Sequence, residues 1–355
     1  MKILVTGGTG FTGSHLVRHV LREGNQCVVL DNNSSPNPEQ GSLLAELRSL
    51  GAEIIVGDVT KPEDIRRAVK GCDAVYHLAA AFRLINVSHK VYDETNIAAM
   101  DSLLQIAKEE GVKKVIYCST QGVHGDIKSL RQNPPVPGSE DSPIEPADYY
   151  QYTKRQGELR ALAFLEKNPD FDITILRPTA LYGPGDPARF LMMYRQCAKG
   201  WFPFFGKGEA FYHPVYVENF CDAFSLAMSH PASKGQTYII ADDRYYMIAD
   251  IVQKIADIEY ADGLVDKPVK MIHFPFYPMY WLSFLVAGLW KLLPGDPPLF
   301  PRRVDWYRQN RGFQDETHSK AYRELEYVPR VKLDEGLKKT YDWYKAHGYL
   351  KARKG

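Results

Sequence analysis

Little in this chain is extreme, and each thing it lacks removes a class of function. Lys and Arg number 44 against 43 Asp and Glu, so a net charge of +1 offers no basic surface for nucleic acid. Only five of the 355 residues are cysteine (Cys27, Cys72, Cys118, Cys197 and Cys221), and neither a metal-type spacing nor a disulfide framework relates them. They are expected to be reduced, mostly buried thiols of a cytoplasmic protein. No internal repeat or low-complexity segment appears. The first apolar run begins at Ile3, so no signal peptide is expected. An uncharged run at 274–290, FPFYPMYWLSFLVAGLW, has 17 residues where a spanning helix needs about 20. Pro275 and Pro278 break its first turn. We expect an apolar helix over roughly 279–293 that covers a substrate pocket, lies against a membrane surface as a peripheral contact, or is buried as a core helix.

The chain does have a glycine pattern at its start. Ile3 to Val5 is an apolar run; Gly7, Gly10 and Gly13 follow at intervals of three; an amphipathic stretch then runs to Leu21. A strand that breaks into a glycine turn and opens a helix makes a phosphate site, because free N–H groups and the positive end of the helix dipole converge there. Gly7 suits the tight turn, Gly10 lets a pyrophosphate approach the backbone, and Gly13 lets the helix pack close to the strand. An acid, Asp31, follows 18 residues after Gly13.

Strand-like runs at 2–6, 26–30, 53–56, 74–78 and 114–118 alternate with helical patterns at 11–22, 41–50, 62–69 and 91–109. A further helix is expected over 148–165 and a strand at 173–176. Short apolar strands alternating with helices predict the α/β class: a doubly wound parallel Rossmann sheet with helices on both faces. After Pro178, Gly, Pro and aromatics become dense. We therefore expect a dinucleotide-binding domain at 1–177 and a smaller C-terminal substrate-binding lobe at 178–355, with 213–240 returning to the main sheet. The Pro-rich stretch 131–146 is expected to be a loop long enough for a mobile flap.

Asp31 ends the second strand, where its carboxylate accepts from the adenosine ribose hydroxyls and repels a 2′-phosphate. Asn32 and Asn33 beside it bring no cation, which selects NAD over NADP. Asp58 and Val59 follow the third strand and suit the adenine. Leu78, Ala79 and Ala80 are small or apolar residues where a nicotinamide ribose approaches the fourth strand. His77, just before them, reads as structural. Tyr150 and Lys154 stand at i and i+4 on one predicted helix. An ammonium beside a phenol lowers the phenol pKa, as a general acid/base for a secondary alcohol requires. Tyr341 and Lys345 repeat the spacing, but in a polar C-terminal helix. Ser119 and Thr120 end the fifth strand, and either hydroxyl can meet a substrate oxygen.

Together these pieces resemble the extended short-chain dehydrogenase/reductase superfamily, the group of the NAD-dependent epimerases, dehydratases and 3β-hydroxysteroid dehydrogenases. The matching stretches are TGGTGFTG at 6–13, Asp31, Asp58-Val59, HLAA at 77–80, Asn96, STQGVHG at 119–125, YQYTK at 150–154, LRPTALYGPG at 176–185 and HPVYVENFCDAF at 213–224. The resemblance implies hydride transfer between a nicotinamide and a carbon bearing a hydroxyl or keto group. Tyr150 would move the proton, Lys154 would bind the ribose and tune Tyr150, and Thr120 takes the substrate oxygen, with Ser119 as the alternative. It adds Thr9, Phe11, Thr12, Asn96, Pro178 and Thr179 to the cofactor set. It places Ala81, Gln121, Thr179, Tyr212 and Arg303 against substrate, and it implies a homodimer.

Nucleotide-sugar members usually carry Asn where this chain has Thr179 and Arg where it has Tyr212. Arg302 and Arg303 remain to meet a diphosphate. Val217-Glu218-Asn219, the 274–290 segment, Pro301-Arg302-Arg303-Val304 and the stretch from Lys320 to Pro329 resemble the hydroxysteroid and sterol-carboxylate branch instead. The expected activity is a 3β-hydroxysteroid-dehydrogenase-like oxidation or reduction of a hydrophobic alcohol or ketone. A nucleotide-sugar epimerase or dehydratase and a non-catalytic NAD-binding scaffold are the alternatives.

Overall fold

The computed structural model describes residues 1–34, 40–82, 88–290 and 299–351, with the side chains of Gln40 and Arg302 left aside. Seven strands form one parallel sheet. In chain order six of them are β1 (Lys2–Thr6), β2 (Gln26–Asp31), β3 (Glu53–Val56), β4 (Ala74–His77), β5 (Lys114–Cys118) and β6 (Asp172–Pro178). The seventh, Thr237–Ile240, comes from the second half of the chain and pairs with β6. The spatial order is Thr237–Ile240, β6, β5, β4, β1, β2, β3. The order reverses between β1 and β4, and that reversal opens a crevice at the strands' carboxyl ends.

The strands are apolar on both sides because both faces are covered. Ile3, Val5, Val29, Tyr76 and Ile116 pack with Leu16, Val17 and Phe220 on one face. Leu4, Val28, Val75, Val115 and Ile173 pack with Ile65, Leu103 and Leu104 on the other. The expected strands and helices in this half fall within two residues of those observed. One departs in kind. The stretch expected as a single helix over 91–109 begins at His89, with the Ser88 hydroxyl accepting from Lys90 N at 3.1 Å. It then widens into a π-helical turn over Glu94–Ala98 before Ala99–Glu109.

Beyond β6 the strands are short. Ala180–Tyr182 pairs with Pro214–Tyr216, Phe211–Tyr212 with Tyr246–Met247, and Trp201–Phe205 with Lys270–Phe274. Helices Arg189–Cys197, Ile248–Ala261 and Leu333–Ala346 pack around an aromatic core with Phe202, Phe204 and Trp306.

The apolar helix runs Phe276–Trp290. It starts three residues earlier than expected because Pro278 falls in its first turn, where a missing N–H costs nothing; 291–293 lie outside the described residues. The helix is mostly uncovered: Trp281 is 68% exposed and Leu285 59%. Among the described residues no helix is long and apolar enough to cross a membrane.

The 131–146 stretch is pinned. Gly138 N donates to Gly312 O, Glu140 Oε1 accepts from Ile239 N at 2.7 Å, and Ser142 and Pro143 carbonyls accept from His124. Its Pro-rich composition signalled a loop, but these long-range anchors were not visible in it.

Candidate active site

The glycine turn separates three roles by geometry. Gly7 has φ +71°, and a Cβ there would lie 2.9 Å from Ala79 N, so the left-handed turn and the close approach of β4's loop both require glycine. At Gly13 a Cβ would sit 2.0 Å from Gly7 O, so helix Phe11–Arg22 (α1) packs directly on the turn. Gly10 differs. Its φ of −72° and ψ of 172° suit any residue, and its Cβ would meet only Gly7 O, at 3.4 Å. The protein itself leaves room for a side chain there, at a helix start that no side chain caps and whose first turn holds no acid. Space beside uncapped N–H groups is what a pyrophosphate needs. Phe11 and Thr12 open that first turn; Phe11's ring stands edge-on to His15 at 5.7 Å.

Asp31 is 9% exposed, and its carboxylate accepts from Thr9 N at 3.0 Å and Asn33 N at 2.7 Å. It is therefore fixed at the end of β2, against the turn. Asn32 donates to Asp58 at 3.1 Å; Asp58 also accepts from Thr60 N and Oγ1. Burial tends to raise the Asp58 pKa, but these hydrogen bonds leave it below the usual carboxylate value. Val59, next to it, is buried.

Thr6 Oγ1 accepts from Leu78 N and Ala79 N, both at 3.2 Å, so its own proton goes to His77 Nδ1, 2.8 Å away. Burial, with Lys154 nearby, pushes the His77 pKa to about 3. His77 is thus a neutral, structural residue, as its position in an apolar strand indicated. Ala80 follows in the same loop, half-buried.

Asn96 has a clear structural role. Its Oδ1 accepts from Ala81 N at 2.8 Å, and its Nδ2 donates to Ala81 O and Thr153 Oγ1 at 3.1 and 3.0 Å. These bonds clamp the β4 loop, and with it Ala81, to the helix that carries Tyr150 and Lys154. The π turn is what aims it there. Sequence spacing cannot register a π turn, so this clamp was not legible in the motif.

Helix Tyr149–Lys167 is capped by Asp148, which accepts from Gln151 N at 2.9 Å. Tyr150 and Lys154 lie one turn apart on it. The Tyr150 ring stands edge-on to Phe82 at 4.9 Å. Lys154 is 2% exposed, and its Nζ lies 4.2 Å from the centroid of the Tyr117 ring. Burial lowers its pKa to about 8, opposed by Cys118 and Glu158. Gly157 permits this depth: a Cβ there would meet Tyr117 Oη at 2.5 Å and Asn96 O at 2.9 Å.

One turn beyond Lys154, Glu158 is fully buried. Arg177 of β6 grips it with two bonds, Nε–Oε1 at 2.7 Å and Nη2–Oε2 at 2.8 Å, and Arg155 adds a third at 2.8 Å. Arg177 Nη1 donates to His124 Nε2 at 2.9 Å. His124 is held neutral by burial and by Arg177, with its pKa lowered to about 4. Its Nδ1–H is the donor to the 131–146 loop. Gly157 and Glu158 went unnoticed in the sequence, and Arg177 and His124 lay inside the matching stretches with no role assigned; a glycine inside a long helix and an arginine inside an apolar strand were the signals.

Thr120 Oγ1 accepts from Gly122 N at 3.1 Å, which holds the hydroxyl at the end of β5. Ser119 lies against the Glu158 carboxylate without reaching hydrogen-bond geometry. Ser119 Oγ, Gln121 Oε1 and Thr179 Oγ1 are buried polar atoms without a partner, all at the carboxyl ends of β5 and β6. Orphaned buried polar atoms are costly unless a ligand supplies the missing partner. Pro178 closes β6, and Thr179 N donates to Ile240 O.

Two of the expected substrate residues lie in the lobe. Tyr212 is 2% exposed, its hydroxyl accepts from Arg189 at 2.5 Å, and its ring packs on Trp306. It is a core residue, not one that lines an open cleft; position in the motif located it but could not show what buried it. Arg303 Nη2 approaches Met192 Sδ at 3.1 Å.

With this geometry in hand, the model of the family described as "NAD dependent epimerase/dehydratase family" matches residues 3–241. The chain is similar to "3beta-hydroxysteroid-dehydrogenase/decarboxylase isoform 1" of Arabidopsis thaliana, 30% identical over 99% of this chain and 80% of that one. It is similar to "2-alkyl-3-oxoalkanoate reductase" of Stenotrophomonas maltophilia, 27% identical over 96% and 98%. Among solved structures, UDP-glucuronic acid 4-epimerase from Bacillus cereus in complex with UDP-glucuronic acid and NAD superposes with a TM-score of 0.76 at 25% identity, covering 98% of this chain and 100% of that one.

Proposed function

Because the chain belongs to the NAD dependent epimerase/dehydratase family, and is thus an NAD-dependent enzyme of the extended short-chain dehydrogenase/reductase type, we propose that it interconverts a hydrophobic secondary alcohol and its ketone. The observation that carries this reading is the buried Lys154 one turn from Tyr150, beside the crevice where the sheet order reverses.

NAD, when bound, supplies the hydride acceptor or donor. Gly10 and the start of α1 would hold its pyrophosphate, and Asp31 its adenosine ribose. The chain's own work is proton transfer and orientation. Tyr150 takes the proton of the substrate hydroxyl, or returns it to the ketone oxygen. The Lys154 ammonium, one turn away on the same helix, stabilises negative charge on the Tyr150 oxygen as the proton moves. Thr120, with Ser119 as the alternative, donates a hydrogen bond to the same oxygen. Asn96 holds the Ala81 loop against the helix and so fixes the distance across the crevice.

For the substrate we propose a 3-hydroxy or 3-oxo acid, or a sterol-like equivalent, with an apolar body. One relative's name states a 3-oxo acid; the other couples dehydrogenation to decarboxylation, and loss of CO2 is the chemistry of a 3-oxo acid. Aromatic side chains that line an open recess, Phe205, Phe276 and Tyr307, support burial of an apolar body at roughly 25 cal/mol per Å². The exposed face of Phe276–Trp290, beside a recess of about 390 Å³ lined by Phe205, Phe276, Tyr307 and Arg308, supports peripheral contact with a membrane that holds such substrates. Leu159 and Leu162, exposed on the Tyr149–Lys167 helix, support a homodimer.

The test is NADH formation with a panel of 3β-hydroxysterols, long-chain 3-hydroxy acids and UDP-sugars. Turnover of the first two sustains the reading. Conversion of UDP-sugars alone, with NAD retained through purification, replaces it with the epimerase that the Bacillus cereus likeness supports.

A further inference from the structure

Besides Lys154, the Tyr149–Lys167 helix buries one charged group that the proton transfer does not use. Glu158 sits one turn after Lys154 and is fully buried. Three guanidinium nitrogens close on its two oxygens within 2.8 Å, two from β6 and one from its own helix. Removing one partner from such a group leaves the others uncompensated, so the arrangement is all-or-none. It is also directional. Arg177 is one residue before Pro178 and two before Thr179, and Ser119 reaches toward the same carboxylate. Glu158 therefore ties the proton-transfer helix to the end of β6, beside the orphaned hydroxyls.

We propose that Glu158, held by Arg177, is a positioning residue that keeps Lys154 charged and in place beneath Tyr150. This rests on the reading that Tyr150 and Lys154 form the proton-transfer pair. The groups facing Lys154 are few. Tyr150 and Glu158 lie on its own helix, Tyr117 and Cys118 come from β5, and His77 comes from β4. Cys118 is kept protonated by burial, with a pKa of about 11, and His77 is neutral. Glu158 is thus the one full negative charge among them at neutral pH, since hydrogen bonds and charge from Arg177 hold its carboxyl ionised despite burial. Arg177 and Arg155 prevent that charge from being a burial penalty, and His124 extends the brace to the 131–146 loop.

The experiment reads Lys154 directly and needs no substrate. Lysine labelled with 13C at Cε is titrated by NMR in the full-length protein, and the Lys154 signal is assigned by its loss in Lys154→Arg. The wild-type midpoint should lie near pH 8. In Glu158→Gln the ammonium loses its counter-charge while staying buried, so its midpoint should fall by about one pH unit. If Glu158 only props the helix, loss of the brace lets water in and the midpoint rises toward the free-lysine value of about 10.4. A rise, or no change, overturns the proposal. Should Glu158→Gln fail to fold, Glu158→Asp keeps the charge on a shorter stem: a midpoint staying within about half a unit of wild type sustains the proposal, and a rise overturns it. Failure of the underlying reading looks different, because Tyr150→Phe would then keep its turnover whatever Lys154 does.

Discussion

Gly10 and Gly13 are both glycines of the same turn, yet the structure assigns their missing side chains to different neighbours. A methyl at position 13 would be driven to 2.0 Å from Gly7 O and 2.8 Å from Gly8 Cα, both backbone atoms that cannot swing away. Relief needs a shift of roughly 1 Å between β1 and α1, and overpacking of that kind costs about 1–3 kcal/mol or more. Gly13→Ala should therefore unfold at distinctly lower urea concentration, with NAD binding lost alongside. A methyl at position 10 meets only Gly7 O, at 3.4 Å, on a backbone that alanine adopts freely. Gly10→Ala should keep wild-type stability within about 1 kcal/mol, or gain slightly from a less flexible unfolded chain. Its methyl would occupy the space that the pyrophosphate needs, so NAD affinity should fall at least ~100-fold, about 2.7 kcal/mol. Urea unfolding and calorimetric NAD titration separate the two variants. A folded Gly10→Ala that binds NAD within threefold of wild type would refute the cradle.

Glu259 is fully buried, both its oxygens lack a partner, and burial pushes its pKa to about 9. The folded chain then holds a proton that the unfolded chain releases above about pH 4.3, so this group removes stability as pH rises, by up to about 1.4 kcal/mol per unit until pH 9. The stability gap between Glu259→Met and wild type should widen from pH 5 to pH 8, and a flat gap in urea melts would sink the assignment. Asn96→Ala strips Ala81 and Thr153 of three hydrogen bonds and should cost about 2–3 kcal/mol together with most of the turnover; wild-type kcat in the variant would show that the clamp is idle. Tyr150→Phe should lower kcat about 10²–10⁴-fold at unchanged NAD affinity, whereas retained turnover removes Tyr150 from the proton path. Lys154 loses its ammonium above about pH 8 in the folded protein, so kcat/KM should decline above that pH, and a plateau reaching pH 10 contradicts its role.

Much of the fold was legible because its signals are local. Apolar runs such as Ile3–Val5, the glycine spacing of 7, 10 and 13 and the amphipathic 11–22 stretch each act within a few residues, through φ preferences, Cβ sterics and periodicity. Asp31 and the Tyr150/Lys154 pair were readable for the same reason: a strand end and an i, i+4 spacing fix where those side chains point. The sequence by itself therefore determined the strand–glycine-turn–helix start of the chain and the order of elements in its sheet half. Tertiary structure decided what lies between distant segments. Asn96 became a clamp because a π turn, invisible to periodicity, swings it onto Ala81 and Thr153. Tyr212 became core because Arg189 and Trp306, 23 and 94 residues away, close over it. Glu158 acquired its partners from Arg177 only when β6 was laid beside β5. The apolar run at 274–290 specified a helix but left its face uncovered, since burial depends on what other segments bring to it. Local sterics and hydrogen bonding are written in neighbouring residues, whereas desolvation and charge pairing belong to groups that meet only once the chain has folded.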